Sequence, residues 1–285
     1  MCSCVLGIKL HRSFVEEMMS EIREFSHKTL EVNGEAVSFI DEGSGPTLFL
    51  MHGIGGNSRS WREQFRELTS KFRLIAWDAP GYGNSKLRKS TLSDYVTTAT
   101  GLLGALKVKR ANVLGHSMGG VIAQGMVGLG GIKVDKLILS STFMGHGERV
   151  GRPLQAGYIS RLDEITSMSP EEFGEARAKS MLADTTSRKV FQEVASIASE
   201  VKKSGLLAAC EVLNYSDTGK FLKGFTKPVL IFTGRHDKIV APTRSTEMAA
   251  HIFDVQHIEF GNSGHAAYLE EPLVYNAAIN KFLSN

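Results

Sequence analysis

The stretch that decides the fold is Asn112-Val113-Leu114-Gly115-His116-Ser117-Met118-Gly119-Gly120. Residues 112–115 form a short uncharged run, as in a strand buried within a sheet. A helix starts at Met118, so Ser117 falls at the turn between strand and helix. Gly-x-Ser-x-Gly has only three fixed positions and recurs by chance. In a strand–turn–helix setting it marks a sharp elbow that exposes a serine above the end of a sheet. Its glycines stand where a Cβ would collide with the neighbouring strand or helix. The competing reading is a glycine-rich helix start with Ser117 as an ordinary N-cap.

The alternation extends both ways from this elbow. Upstream, residues 29–32 and 35–41 flank Asn33-Gly34 as a hairpin. Residues 47–51 and 72–77 read as buried strands, with Trp61, Phe65 and Leu68 on one face of a helix between them. Thr91-x-x-Asp94 has the form of a capping box opening a helix that carries Tyr95, Thr98, Leu102 and Leu106. Downstream come strands at 136–140, 228–233 and 257–260, a helix from Pro242 and a last helix from about Pro272. Uncharged strands alternating with amphipathic helices imply an α/β fold: a mostly parallel, doubly wound sheet covered on both faces.

Over 143–226 the strand rhythm stops. Ser169-Pro170-Glu171-Glu172 is a capped helix start, and Val190, Val194, Ile197 and Val201 recur at helical spacing. This is a helical insertion between two core strands, too long for a plain loop. The expected division is a core of 27–142 and 227–285, the insertion at 143–226, and an N-terminal extension at 1–26 whose charged part favours helix.

Composition excludes several classes. The 285 residues carry 33 basic and 30 acidic side chains, a net charge of +3 that argues for neither nucleic acid nor an anionic membrane. Cys2, Cys4 and Cys210 cannot form a disulfide framework, and Cys-x-Cys lacks the partners of a zinc site. Reduced thiols and the lack of a signal-peptide pattern point to the cytoplasm. Residues 111–132 contain no charged side chain, but their many glycines and polar residues make a poor membrane span. Gly-x-Gly-x-x-Gly is missing from any strand–helix setting, and no His/Asp/Glu spacing indicates a metal.

A serine hydroxyl becomes a nucleophile only when a base takes its proton and an acid orients that base. After an elbow of this kind the chain order is serine, acid, histidine. Among the nine histidines, His265 is the one in a glycine-rich loop after a late strand, within Gly261-Asn262-Ser263-Gly264-His265. Asp237, in Gly234-Arg235-His236-Asp237, follows another buried strand, whereas Asp217 and Asp254 fit worse. Its competing role is capping the helix at Pro242. His52-Gly53-Ile54-Gly55-Gly56 follows the strand ending at Met51. A tetrahedral intermediate needs two backbone N–H donors, and Met118 and Ile54 would supply them. His52 reads as a residue bracing the loop.

At this point the sequence resembles the α/β-hydrolase fold family. The resemblance covers nearly all of 29–283 outside the insertion. It rests on five ordered motifs: His52-Gly53, Asp78-Ala79-Pro80-Gly81-Tyr82-Gly83-Asn84-Ser85, Gly115-His116-Ser117-Met118-Gly119-Gly120, Gly234-Arg235-His236-Asp237, and Gly264-His265 with Leu269-Glu270-Glu271-Pro272 behind it. It implies a Ser117–Asp237–His265 triad, a helical lid over the site at 143–226, and a bracing role for Asp78. Ser117 stands where haloalkane dehalogenases and epoxide hydrolases of the fold carry Asp. Ala266 stands where C–C bond hydrolases of ring-cleavage products commonly carry Trp. Lid-bearing esterases and enol-lactone hydrolases remain.

The expected function is therefore hydrolysis of a small carboxylic ester or lactone through an acyl-enzyme. The alternatives are C–C bond hydrolysis, acyl transfer, and a non-hydrolytic small-ligand receptor of the same fold. No cofactor is implied, and the partner is a small molecule rather than nucleic acid or membrane; a homodimer is left open. The insertion carries Phe143, Met144, Tyr158, Met168, Phe173, Met181, Phe191 and Tyr215, while its acids and bases balance. That composition leads us to expect an apolar pocket that favours hydrophobic esters over polyanionic ones.

Overall fold

The protein is described by a computed structural model covering residues 25–87 and 91–285. Cys2, Cys4 and residues 13–24 of the expected charged lead lie outside the described residues. Among the described residues eight strands form one sheet. They are β1 (His27–Val32), β2 (Glu35–Glu42), β3 (Thr47–Met51), β4 (Arg73–Trp77), β5 (Arg110–His116), β6 (Lys133–Ser140), β7 (Val229–Gly234) and β8 (Val255–Phe260). Their order is β1-β2-β4-β3-β5-β6-β7-β8; β1 and β2, and β2 and β4, pair antiparallel, and every other pairing is parallel. The first hairpin turns through Asn33 and Gly34, both at positive φ, as the two-residue loop requires.

The period of two along the strands splits the core. Phe49, Val113, Leu139 and Ile231 face one side, where helices α2 (Leu92–Ala105) and α3 (Met118–Leu129) pack. Leu48, Leu114, Ile138 and Phe232 face the other, against α1 (Arg62–Leu68) and the last helix, here α11 (Pro272–Ser284). The capping box at Thr91 and Asp94 is formed. Strands β5 and β6 begin two and three residues earlier than expected, and the added residues pair with one another, Arg110 with Lys133 and Ala111 with Val134, while Arg110 Nε donates to Asp135 at 2.6 Å. Charge at a sheet's end is no bar to a strand.

Between β6 and β7 the chain forms the helices α4 (Ala156–Ser167), α5 (Pro170–Met181), α6 (Arg188–Ser199), α7 (Lys203–Tyr215) and α8 (Gly219–Lys223). Ser169 caps α5 in a capping box with Glu172. Val201 lies past the end of α6, so the expected helical run is one turn shorter. Helix α7 enters the core through Leu206, Ala209, Cys210 and Leu213. Its start crosses the loop after β4 closely: a Cβ on Gly205 would come within 2.3 Å of the Gly81 carbonyl oxygen. The remaining helices are α9 (Pro242–Ala249) and α10 (Ala267–Glu270). No helix among the described residues is long and apolar enough to cross a membrane.

Candidate active site

Ser117 joins β5 to α3 at φ 52° and ψ −116°, a conformation that costs a non-glycine residue about 1–3 kcal/mol. The surroundings enforce it. Ser117 N–H donates to the Ser140 carbonyl at 2.9 Å, and Thr142 Oγ1 donates to the Ser117 carbonyl at 2.7 Å. A Cβ on Gly115 would approach the Gly119 carbonyl oxygen to 2.3 Å, and one on Gly119 would meet the Met51 carbonyl oxygen at 2.1 Å. The Ser117 side chain makes no capping hydrogen bond, so the N-cap reading fails.

His265 and Asp237 come from the loops after β8 and β7. His265 Nδ1 lies 2.8 Å from Asp237 Oδ2, and both side chains are buried. A carboxylate only accepts, so Nδ1 carries the proton and Nε2 is left as the basic nitrogen. Burial opposes ionisation of Asp237, but the His265 ring and the N–H groups of Val240 and Ile239 outweigh it and hold the carboxyl below its usual range. Those N–H groups donate to Asp237 Oδ1 at 2.9 and 2.8 Å, so the carboxylate is bound inside its own loop. The helix-capping alternative is not what forms, since the cap residue of α9 is Ala241.

Two supporting residues were not singled out from the sequence. His116 donates from Nε2 to the His265 carbonyl at 2.8 Å, and burial, aided by the His265 ring, pushes its pKa down to about 3. It is a neutral strut. Glu270 accepts four bonds: from Ala183 N–H and Thr186 Oγ1 on one oxygen, at 2.8 and 2.6 Å, and from Gly264 N–H and Ala266 N–H on the other, at 2.9 and 3.2 Å. One carboxylate thus ties the His265 loop to the insertion. Glu270 lies in the quoted motif Leu269-Glu270-Glu271-Pro272, but its role needs residues 84 and 87 positions away.

The first glycine loop packs directly on the elbow; a Cβ on Gly53 would lie 2.8 Å from Ser117 Cβ. His52 braces it as expected, donating from Nδ1 to the Gly53 carbonyl at 2.8 Å and accepting at Nε2 from Ala79 N–H at 2.9 Å. Asp78 accepts from Ser58 N–H at 2.8 Å and from Asn84 N–H at 3.4 Å, which pins two loops together. Ile54 borders the same cavity as Ser117. Met118 occupies the first helical position, where its N–H has no carbonyl within the helix to bond.

Ser117 and His265 border a cavity of about 230 Å³ that is lined in large part by residues of the insertion, among them Phe143, Tyr158 and Arg177. Of the eight apolar insertion residues, Phe143 and Tyr158 line it. Phe173 and Met181 are packed in the core, and Met168 is 38% exposed. Composition does not anticipate the rest of the lining, where Arg161, Arg177 and Arg244 stand beside the apolar side chains. A balanced charge count says nothing about placement. The readable signal was local: Arg177 stands four residues after Phe173 and four before Met181, on the buried stripe of α5. Among the described residues no group of three or more His, Cys, Asp or Glu could hold a metal ion.

Residues 46–272 match the family model described as alpha/beta hydrolase fold, and the chain belongs to that family. It is similar to the AB hydrolase superfamily protein YisY of Bacillus subtilis (strain 168), with 32% identity over 256 residues that cover 85% of this chain and 93% of the relative. Among solved structures it is similar to an esterase (EaEST) from Exiguobacterium antarcticum, with a TM-score of 0.83 and 21% identity over 91% of this chain and all of that one. It is also similar to the enol-lactonase from Burkholderia xenovorans LB400, with a TM-score of 0.81 and 22% identity over 90% of this chain and all of that one. At those identities the two structures speak for the fold.

Proposed function

We propose that the protein hydrolyses a small carboxylic ester or lactone, with Ser117 as nucleophile, His265 as general base and acid, and Asp237 as the orienting carboxylate. The observation that carries this reading is the buried His265–Asp237 pair, joined at 2.8 Å beside the cavity that Ser117 borders. Ser117 Oγ attacks the substrate carbonyl carbon while its proton passes to His265 Nε2. The N–H groups of Ile54 and Met118 hold the oxyanion. The tetrahedral intermediate collapses as His265 returns the proton to the leaving alkoxide; in a lactone that oxygen stays attached to the acyl group. Water, deprotonated by His265, then attacks the acyl-enzyme and releases the acid and Ser117. Asp237 stabilises the imidazolium in both halves. Residues 143–226 serve as a lid that excludes water and shapes the pocket over a core of 27–142 and 227–285.

The test is turnover of short p-nitrophenyl esters. Ser117→Ala is expected to lower kcat by about 10⁵-fold or more while the fold, read by circular dichroism, is kept. Residual turnover within about tenfold of wild type would mean another nucleophile. Binding of esters without any turnover by the wild type would favour the receptor alternative.

A further inference from the structure

Arg177 is 5% exposed, and its Nε has no hydrogen-bond partner. Among the described residues no carboxylate lies within ion-pair distance of it. Glu164 acts on it only at longer range, and Arg161 opposes it as a like charge. Burial, together with Arg161, pushes the guanidinium down to about 9. Tyr82, close enough to feel the same charge, also keeps a buried hydroxyl without a partner. A buried, unpaired charge costs several kcal/mol, so a fold does not retain one without compensation from elsewhere.

The compensation is missing throughout the cavity. Among the described residues no Asp or Glu lines it, while Arg161 and Arg244 do. Arg244 lies over the Phe143 ring at 4.2 Å, a contact that leaves the edge of its guanidinium open to an acceptor. His146 adds no counter-charge: burial and Arg244 lower its pKa, and its Nε2 is engaged with the Tyr158 hydroxyl at 3.1 Å. The cavity thus joins a nucleophile to a cluster of guanidinium groups, in a volume of about 230 Å³ that suits a small molecule reaching both. A planar carboxylate is the acceptor a guanidinium fork binds best through paired hydrogen bonds.

Resting on the serine-hydrolase reading above, we propose that the substrate carries a carboxylate remote from its scissile carbonyl, received by Arg177 with Arg161 and Arg244 beside it. The chemical class is the half-ester of a short dicarboxylic acid, or a lactone with a carboxylate side chain. This reverses the preference for hydrophobic esters that composition predicts.

The experiment compares the monomethyl esters of succinate, glutarate and adipate with their dimethyl counterparts, which share the acyl chain but lack the charge. With at least one acid the wild type is expected to favour the half-ester by about tenfold or more in kcat/KM. Arg177→Met is expected to lower that kcat/KM about 100-fold and to bring the ratio to within about threefold of unity. Arg177→Lys, which keeps the charge without the fork, is expected to retain part of the preference. Diesters used as well as half-esters by the wild type for all three acids would overturn the proposal, as would an equal loss on both esters in Arg177→Met.

A second arm does not need turnover. Calorimetry on the Ser117→Ala protein should detect at least one of the three free dicarboxylates, and the added Arg177→Met should abolish that binding. Binding through Arg177 without any wild-type hydrolysis would keep the anion site and remove the hydrolase reading. Hydrolysis without charge preference would do the reverse. No dicarboxylate binding by the Ser117→Ala protein would overturn the anion site.

Discussion

The floor and the roof of the cavity are built on opposite principles. On the floor the loops at the ends of the parallel strands satisfy one another: His52, His116, Asp237 and His265 all have polar partners within the core. In the roof Arg177 is buried with an unpartnered nitrogen, and among the described residues the nearby cations face no acid within the cavity. The difference separates two tasks. The proposed chemistry needs groups held in place before the substrate arrives, so their bonds are internal. Recognition needs groups whose best partner is the substrate, so theirs are left unmade.

The largest effect should come from the floor. Asp237→Asn is expected to lower kcat about 10⁴-fold with the fold unchanged, because the amide can hold His265 in the wrong tautomer. A loss below about tenfold would show that internal orientation is not what the floor provides. Glu270 joins floor to roof, so Glu270→Gln puts an amide N–H₂ where only donors converge. Its kcat should fall about tenfold or more through displacement of the His265 loop, with KM moving less. Thermal unfolding should register a loss of about 3 kcal/mol. Equal changes in kcat and KM would mean that Glu270 holds the insertion alone.

Acid stability sharpens the contrast. His116 has its folded pKa near 3, below the ordinary 6.5, so the unfolded chain takes up a proton that the folded chain excludes. That contribution is intact above pH 6.5 and is lost as the pH falls toward 3. The slope is about 1.4 kcal/mol per pH unit. His52, lowered mainly by burial, acts in the same direction. Urea unfolding from pH 7 to 4 should show this slope, and His116→Asn should remove about one proton's share of it. A slope unchanged in that variant would contradict the neutral-strut role.

The smallest effects on catalysis should come from the apolar roof. Phe143→Ala should shift the preference between short and long acyl groups by about threefold to tenfold, since the ring lines the cavity. Phe173→Ala, at a packed position, should lower stability by about 3–5 kcal/mol and shift all substrates alike. Kinetics on an acyl-length series beside thermal melts distinguishes them; the same pattern in both variants would erase the distinction between lining and packing.

This contrast also explains what could be read from the sequence. The Ser117 elbow, the His52 loop, and the loops of Asp237 and His265 are each local patterns of a few residues after a strand, and the fold then brings them together. The strand starts at Arg110 and Lys133 are not legible because those ends are held by pairing with each other, Arg110 opposite Lys133 and Ala111 opposite Val134, which a single segment does not show. Glu270 was missed as a tie because its partners lie in a distant segment. Arg177 was hidden by a charge count that sums over position. What stays illegible is tertiary: which helix face meets which loop.

The most direct test of the account is the site of covalent capture. An alkyl fluorophosphonate, a mimic of the tetrahedral intermediate, should label the native protein once, and peptide mass mapping should find the adduct on Ser117. Labelling should disappear in Ser117→Ala. An adduct on another residue, or undiminished ester turnover after Ser117 has been fully labelled, would contradict the account.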